Sequence, residues 1–314
     1  MASQRTITTL LLDCDNTLVL SEVHAFAACA DVINHLLASH NSEKRFTPAE
    51  LMSAFVGRNF QGMLAALQSP PYGLLPALSE QETAALVARE EEAVIERLRA
   101  APVGQCPGAR EALEAFVESQ TIPHRSRGGG VRYPPVLAVV SSSALRRVCV
   151  SLEVAGLADL FTGHQDEEKD GGGLHREPVE RVFSAASSLP VPTSKPDPAI
   201  YLHAMRVLGA APAGCVAVED SASGTLSAVR AGVAGVIGYL GPYVLEDEEA
   251  GAEGKVGGRA AEMEAVLRGS GAPVVMRRWA DLPDALAELQ RVWAGQDEAS
   301  PVDDEDGGAP LDAP

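Results

Sequence analysis

The chain has 314 residues, 46% of them hydrophobic, and a formal net charge of −18. That length and apolar fraction support one or two packed domains and exclude a wholly disordered chain. The acidic balance argues against nucleic-acid backbones and anionic membranes as general partners, and any phosphate site must therefore carry its own local positive charge. The five cysteines (Cys14, Cys29, Cys106, Cys149 and Cys215) are odd in number and contain no CxxC pair. They read as buried, reduced thiols. No basic and apolar leader opens the chain, and no apolar run of about 18 residues occurs. A cytoplasmic protein without a membrane span is expected.

Ile7–Leu12 is an apolar run that ends in Asp13-Cys14-Asp15-Asn16-Thr17, the pattern of a buried strand followed by a polar turn. From Ser21 to His40 the apolar positions Val23, Phe26, Ala30, Ile33 and Leu37 recur at helical spacing. Further helices are predicted over Thr47–Gln68, with Pro48 suited to a first turn, and over Ser79–Ala100. Pro102–Gly108 has the composition of a linker.

After the linker, helices and strands alternate. Ala109–Val117, Ala144–Ala155, Pro198–Leu208 and Ser221–Ala231 are predicted helices; Val136–Val140, Cys215–Val218 and Gly235–Ile237 are predicted strands. The apolar stretch Ala231–Leu245, broken by glycines and Pro242, reads as a strand plus loop. Short continuous apolar strands between helices are produced by a parallel sheet covered on both faces. The expected fold is therefore α/β: a doubly wound parallel-sheet core, Rossmann-like, with an all-helical domain inserted after the first strand. The core is assigned to residues 1–20 and 106–294, and the helical cap to 21–105. Two glycine-rich excursions, Arg125–Arg132 and Gln165–Arg176, interrupt the core, and an acidic tail too poor in apolar residues to fold is expected from Gly295 to Pro314.

Four polar clusters stand out, three of them directly after predicted strands, where open parallel sheets bind ligands. Asp13 and Asp15, two apart, face the same way on an extended chain, and their repulsion suits a nucleophile, a proton donor and a cation; a solvated turn has the same sequence. Glu219-Asp220 adds hard oxygen donors that suit Mg²⁺, although helix capping by Ser221 and favourable dipole placement would explain the cluster too. Ser141-Ser142-Ser143 offers hydroxyls and N–H groups at a helix start, an anion site or a simple cap. Lys195, between Ser194 and Pro196-Asp197-Pro198, places one ammonium group in a stiffened loop, with Asp197 able to cap the next helix.

In order and spacing these clusters resemble the haloacid dehalogenase (HAD) superfamily, in the branch with a helical cap that includes phosphoglycolate phosphatase-like and β-phosphoglucomutase-like proteins. The matching motifs are Asp13-Cys14-Asp15-Asn16-Thr17-Leu18, Ser141, Lys195 within Ser194-Lys195-Pro196-Asp197-Pro198, and Val218-Glu219-Asp220-Ser221. The resemblance covers Thr6 to about Gln290. It implies a phosphoric monoester hydrolase in which Asp13 attacks phosphorus and Asp15 serves as acid and then base. Ser141, Ser142 and Lys195 would bind the phosphoryl oxygens. Asp13, the main-chain carbonyl of Asp15, Glu219 and Asp220 would hold Mg²⁺. Asn16 stands where glycine is common in the family, and Leu20-Ser21-Glu22 where Asp-Ser-Glu is common.

In the cap, Arg58 and Asn59 of Phe55-Val56-Gly57-Arg58-Asn59-Phe60 fall where relatives contact substrate and are candidates for specificity; a helix break with an exposed arginine explains them equally. His24 near the cap entrance is a weaker candidate against a plain helix-surface position. The expected partner is a small phosphorylated metabolite, most simply a sugar phosphate. A phosphomutase of the β-phosphoglucomutase type and a non-catalytic interaction protein on the same fold are the alternatives.

Overall fold

The computed structural model describes residues 5–55, 59–101, 103–121, 135–162, 181–251 and 258–299. Its centre is a six-stranded sheet whose strands are β1 (Thr9–Leu12), β2 (Val136–Ser141), β3 (Val182–Ser184), β4 (Cys215–Glu219), β5 (Gly235–Tyr239) and β6 (Val274–Met276). The strand order is β3-β2-β1-β4-β5-β6, and every pairing is parallel. This is the doubly wound order, in which the connections change direction on either side of β1.

Alternation within the strands feeds two cores. Leu10 and Leu12 of β1, Leu137 and Val139 of β2, and Val216 and Val218 of β4 join one apolar cluster. Leu11, Ala138, Val140, Cys215 and Ala217 join the other, on the opposite face. Both faces are buried, which is why these strands read as continuous apolar runs. The helices that cover them are α5 (Ala109–Thr121), α6 (Leu145–Val154), α7 (Ala199–Leu208), α8 (Ala222–Arg230), α9 (Gly241–Glu249), α10 (Arg259–Gly269) and α11 (Leu282–Ala299).

Between β1 and β2 lie α1 (Glu22–Ser39), α2 (Pro48–Ala54), α3 (Phe60–Leu67) and α4 (Glu80–Ala100). Capping boxes start two of them: Thr47 with Glu50 at α2, and Ser79 with Glu82 at α4. These helices enclose a third apolar cluster that includes Ile33, Leu37, Leu51, Phe55, Phe60 and Leu64. Other residues of α1 and α4, among them Ala25, Ala28, Val94, Ile95 and Leu98, belong to the sheet-side cluster. The inserted helical unit thus has its own core and leans on the main one.

Three sequence expectations need correction. Thr47–Gln68 is not one helix: Phe55 ends α2, with its ring 5.1 Å from that of Tyr72, and Asn59 restarts the chain as the cap of α3. The second part of Ala231–Leu245 is not a loop. Helix α9 begins at Gly241, with Pro242 in its first turn, where the missing N–H costs nothing. The tail does not begin at Gly295, because Leu282, Ala285, Leu289 and Trp293 are buried at helical spacing and carry α11 on to Ala299. The excursions at Arg125–Arg132 and Gln165–Arg176 lie outside the described residues. Among those described, no helix is long and apolar enough to cross a membrane.

Candidate active site

The carboxyl ends of β1, β2 and β4 meet at one place. Asp13 prolongs β1, and its N–H donates to Val218 O at 3.0 Å. The chain then turns tightly: Leu18 and Val19 N–H both donate to Cys14 O, and Asn16 adopts φ 60° in the left-handed region. Asparagine tolerates that conformation where most residues would not. Its side chain also donates to Glu22 at the start of α1, a contact that glycine could not make. From below, the buried Trp279 indole N–H donates to Thr17 O at 2.9 Å.

Lys195 is the hub. Its Nζ donates to Asp13 Oδ1 at 2.6 Å, Glu219 Oε1 at 2.5 Å and Val140 O at 2.8 Å. Its main-chain N–H donates to Ser142 Oγ at 3.1 Å. The loop behind it is tied to α8, with Ser227 donating to Asp197 O and Arg230 to Pro196 O. Asp197 also accepts from Ala199 N–H at 2.8 Å, but α7 starts at Ala199 with Pro198 as its N-cap, so Asp197 stands one residue ahead of the cap position expected for it. Burial works against the Lys195 charge, but Asp13 and Glu219 more than offset it and raise its pKa.

Glu219 and Asp220 end β4. Glu219 is fully buried; its Oε1 also accepts from the Tyr201 hydroxyl, while Oε2 has no hydrogen-bond partner among the described residues. Gly224 in the first turn of α8 makes room for it, since a Cβ there would fall 1.7 Å from Oε2. Asp220 Oδ2 accepts from the Tyr243 hydroxyl at 3.0 Å. Asp13, Glu219 and Asp220 bring carboxylate oxygens within 4.8 Å of one another. Burial, followed by the charge of Asp13, raises the pKa of Asp220 well above the usual range, and burial raises that of Asp13 against the pull of Lys195. Three buried carboxylates with one ammonium group against two of them, one oxygen without a donor among the described residues, and hard oxygen ligands throughout fit a divalent cation of the Mg²⁺ type.

Asp15 sits differently. Oδ1 accepts from Ser21 Oγ and from Arg147 Nη2, the latter at 3.3 Å; Oδ2 accepts from Ser143 Oγ at 2.7 Å. Burial pushes its pKa up, but Arg147 and the two hydroxyls prevail and hold it below the ordinary value. Ser141 is buried at the end of β2, and its Oγ accepts from Ser143 N–H at 3.0 Å. The serine run therefore divides its work: Ser141 shapes the turn, Ser142 fixes the Lys195 backbone and Ser143 holds Asp15.

The structure thus brings Asp13, Asp15, Ser141, Ser142, Lys195, Glu219 and Asp220 together. Among the cap candidates, Asn59 caps α3 by accepting from Gly62 N–H at 2.9 Å, and His24 is half-buried on α1. Arg58 lies outside the described residues. Arg147, Ser143, Tyr201 and Tyr243 were not singled out by sequence, although Ser143 belongs to the serine run that was.

Comparison with known proteins adds the following. A family model described as haloacid dehalogenase-like hydrolase matches residues 7–232. YhcW of Bacillus subtilis, a protein whose name assigns it an inferred phosphatase activity, is 26% identical over 264 residues, covering 83% of this chain and 96% of its own. A HAD-family hydrolase of Deinococcus radiodurans, crystallised with phosphate and sodium, is 25% identical with a TM-score of 0.53, over 91% of this chain and 97% of the other. CbbY of Rhodobacter sphaeroides, crystallised with xylulose-1,5-bisphosphate, shares the fold at 19% identity and a TM-score of 0.57, over 88% and 96% of the two chains.

Proposed function

This chain belongs to the haloacid dehalogenase-like hydrolases and is a phosphoric monoester hydrolase, and from that premise we propose that it is a Mg²⁺-dependent phosphatase acting through an aspartyl-phosphate on a small phosphomonoester, most simply a sugar phosphate. The observation that carries this reading is the placement of Lys195 Nζ between Asp13 Oδ1 and Glu219 Oε1, at 2.6 and 2.5 Å, at the ends of adjacent parallel strands. One buried ammonium group beside a carboxylate nucleophile gives an acidic protein a local site for a phosphoryl group.

In this reading an oxygen of Asp13 attacks phosphorus in line as the bond to the leaving oxygen breaks. Asp15 gives that oxygen its proton and becomes a carboxylate. It then takes a proton from water, which attacks the same phosphorus and releases Asp13 and inorganic phosphate. Lys195 and the Ser141-Ser142 turn bind the oxygens carried by the phosphoryl group. Asp13, Glu219, Asp220 and the main-chain carbonyl of Asp15 would hold Mg²⁺, which when bound neutralises charge on those same oxygens.

Residues 21–105 would form the cap domain and residues 1–20 with 106–294 the core. Closure of the cap would exclude bulk water from the intermediate. Arg58 and Asn59 remain the cap candidates for contact with the substrate; for Asn59 this requires the amide group, since Oδ1 already caps α3.

The test is a phosphate-release assay across phosphorylated metabolites with Mg²⁺, with Asp13→Asn and a chelated sample as blanks. Turnover that survives in Asp13→Asn would overturn the reading. Conversion of a sugar phosphate to its isomer without release of phosphate would instead establish transfer to a hydroxyl.

A further inference from the structure

Arg147 reaches in two directions. Nη2 donates to Asp15 Oδ1 at 3.3 Å, while Nη1 lies 4.0 Å from Glu90 Oε1 on α4 of the inserted helical unit. All three groups are sequestered: the side chains of Arg147, Asp15 and Glu90 retain 16%, 26% and 9% of their exposure. Glu90 also accepts from the Cys29 thiol of α1 at 3.3 Å, which fixes the outer end of the row to the same helical unit. The neighbouring Arg146 pairs with Glu92, again from α6 to α4, but that pair is exposed and worth little.

An arginine only 16% exposed and set between two acids is costly to desolvate unless its geometry is good. Here it decides how Asp15 presents its oxygens. Oδ1 takes donors from Ser21 and Arg147, whereas Oδ2 takes one, from Ser143. A carboxylate oxygen has two lone pairs, so Oδ2 is the less committed oxygen and the one on which a proton meets least opposition.

We propose that Arg147 is a positioning residue for Asp15, orienting Oδ2 as the proton-carrying oxygen, and that Glu90 makes this orientation depend on the seating of the helical unit. The inference rests on the phosphatase reading and deepens it. No arginine need touch the substrate: when α4 is seated, Glu90 holds one end of the guanidinium group and thereby fixes the other end on Asp15. When α4 moves away, Arg147 loses an anchor and Asp15 its fixed orientation. Proton donation is then confined to the covered site, where the leaving oxygen is in place.

Leaving-group dependence separates this role from a merely structural one. An alkyl phosphate expels a strongly basic oxygen and needs the proton; p-nitrophenyl phosphate expels a weakly basic phenolate and hardly needs it. Arg147→Met should lower kcat for an alkyl phosphate substrate by roughly 10- to 100-fold, with KM changed less than about twofold, while kcat for p-nitrophenyl phosphate falls several-fold less. Arg147→Lys should recover part of the alkyl activity. Glu90→Gln should shift the ratio of the two activities in the same direction by a smaller factor.

If Arg147→Met fails to fold because Glu90 is left buried and unpaired, the double variant with Glu90→Gln removes both charges and should show the same selective loss. An equal loss on both substrates, a rise in KM alone, or full alkyl activity in either variant would overturn the proposal. A wild-type chain that releases phosphate from neither substrate would overturn the phosphatase reading, and the positioning role with it.

Discussion

Replacing Lys195 by methionine tests the central electrostatic claim. The side chain keeps most of its volume but loses an ammonium group that touches Asp13, Glu219 and Val140 O at 2.6, 2.5 and 2.8 Å in a buried setting. Removing one partner of a buried ion pair typically costs ~3–5 kcal/mol, because the remaining charge has no compensation. Here two carboxylates lose their partner, so the upper end of that range is expected, with a fall in Tm on the order of 10 °C. Both acids are already pushed up by burial, and removal of Lys195 pushes them further, so the unfolded chain releases their protons more readily than the folded one. The deficit should be largest at neutral and alkaline pH and should shrink as the pH falls and the folded carboxyls take up protons. A divalent cation at the same acids would return part of the loss; a ligand at 100 times its Kd contributes about 2.7 kcal/mol. The assay is chemical denaturation of wild type and variant with EDTA and with Mg²⁺, at two pH values. A variant within about 1 kcal/mol of wild type in EDTA at pH 7.5 would refute the view that Lys195 is the principal neutralising group.

Other perturbations probe the surroundings. Burial and then Asp15 raise the Glu22 pKa from 4.5 to about 6, so this carboxyl binds its proton more tightly folded than unfolded, and stability is lost as pH rises across that window. In EDTA, Glu22→Gln should match wild type below about pH 4.5 and exceed it by up to ~2 kcal/mol above about pH 6; a constant difference across the titration would reject this. Gly224→Ala should force Glu219 Oε2 away from a Cβ that falls 1.7 Å from it, costing ~1–3 kcal/mol despite the better helix propensity of alanine. Mg²⁺ affinity by calorimetry should drop as well, and unchanged affinity would contradict the close packing. Trp279→Phe removes the donor to Thr17 O beneath the turn that follows Asp13 and should cost ~1–3 kcal/mol, read by urea denaturation; a loss below about 0.5 kcal/mol would mean that water replaces the indole.

Three of the four legible clusters share one property: each stands at the end of an apolar strand run. Asp13 after Leu10-Leu11-Leu12, Ser141 after Val139-Val140 and Glu219-Asp220 after Val216-Ala217-Val218 stand where an apolar run gives way to polar residues. Lys195 is legible through the prolines that follow it. The supporting groups carry no such signal. Tyr201 occurs in a predicted helix, where an aromatic ring looks like core packing, and Tyr243 in a stretch that reads as a loop, and their hydroxyl partners emerge only in three dimensions. Arg147 and Glu90 lie in charged stretches, Arg146-Arg147 and Arg89-Glu90-Glu91-Glu92, that resemble solvated helix faces. The edge strands Val182–Ser184 and Val274–Met276 are too short for their alternation to register. Helix α9 escaped because glycine and proline at its start look like a turn, although both fit the first turn of a helix.

The central place of β1 has a consequence for how the protein is made. Thr9 pairs on one side with Val136 and on the other with Cys215, so the strand that carries Asp13 is translated long before either neighbour exists. At ~5–20 residues per second the ribosome needs roughly 10–40 s to reach the second partner. Until β2 is made Leu10-Leu11-Leu12 is an unpaired apolar strand with two open edges, and until β4 is made it keeps one, a target for chaperones and for association with other nascent chains. The helical unit emerges in the meantime and encloses apolar residues of its own. A folding intermediate in which the helices are formed while the strand that carries Asp13 waits is the natural product of this chain order, and a nascent chain stalled before β4 would present Asp13 without Glu219 and Asp220 beside it.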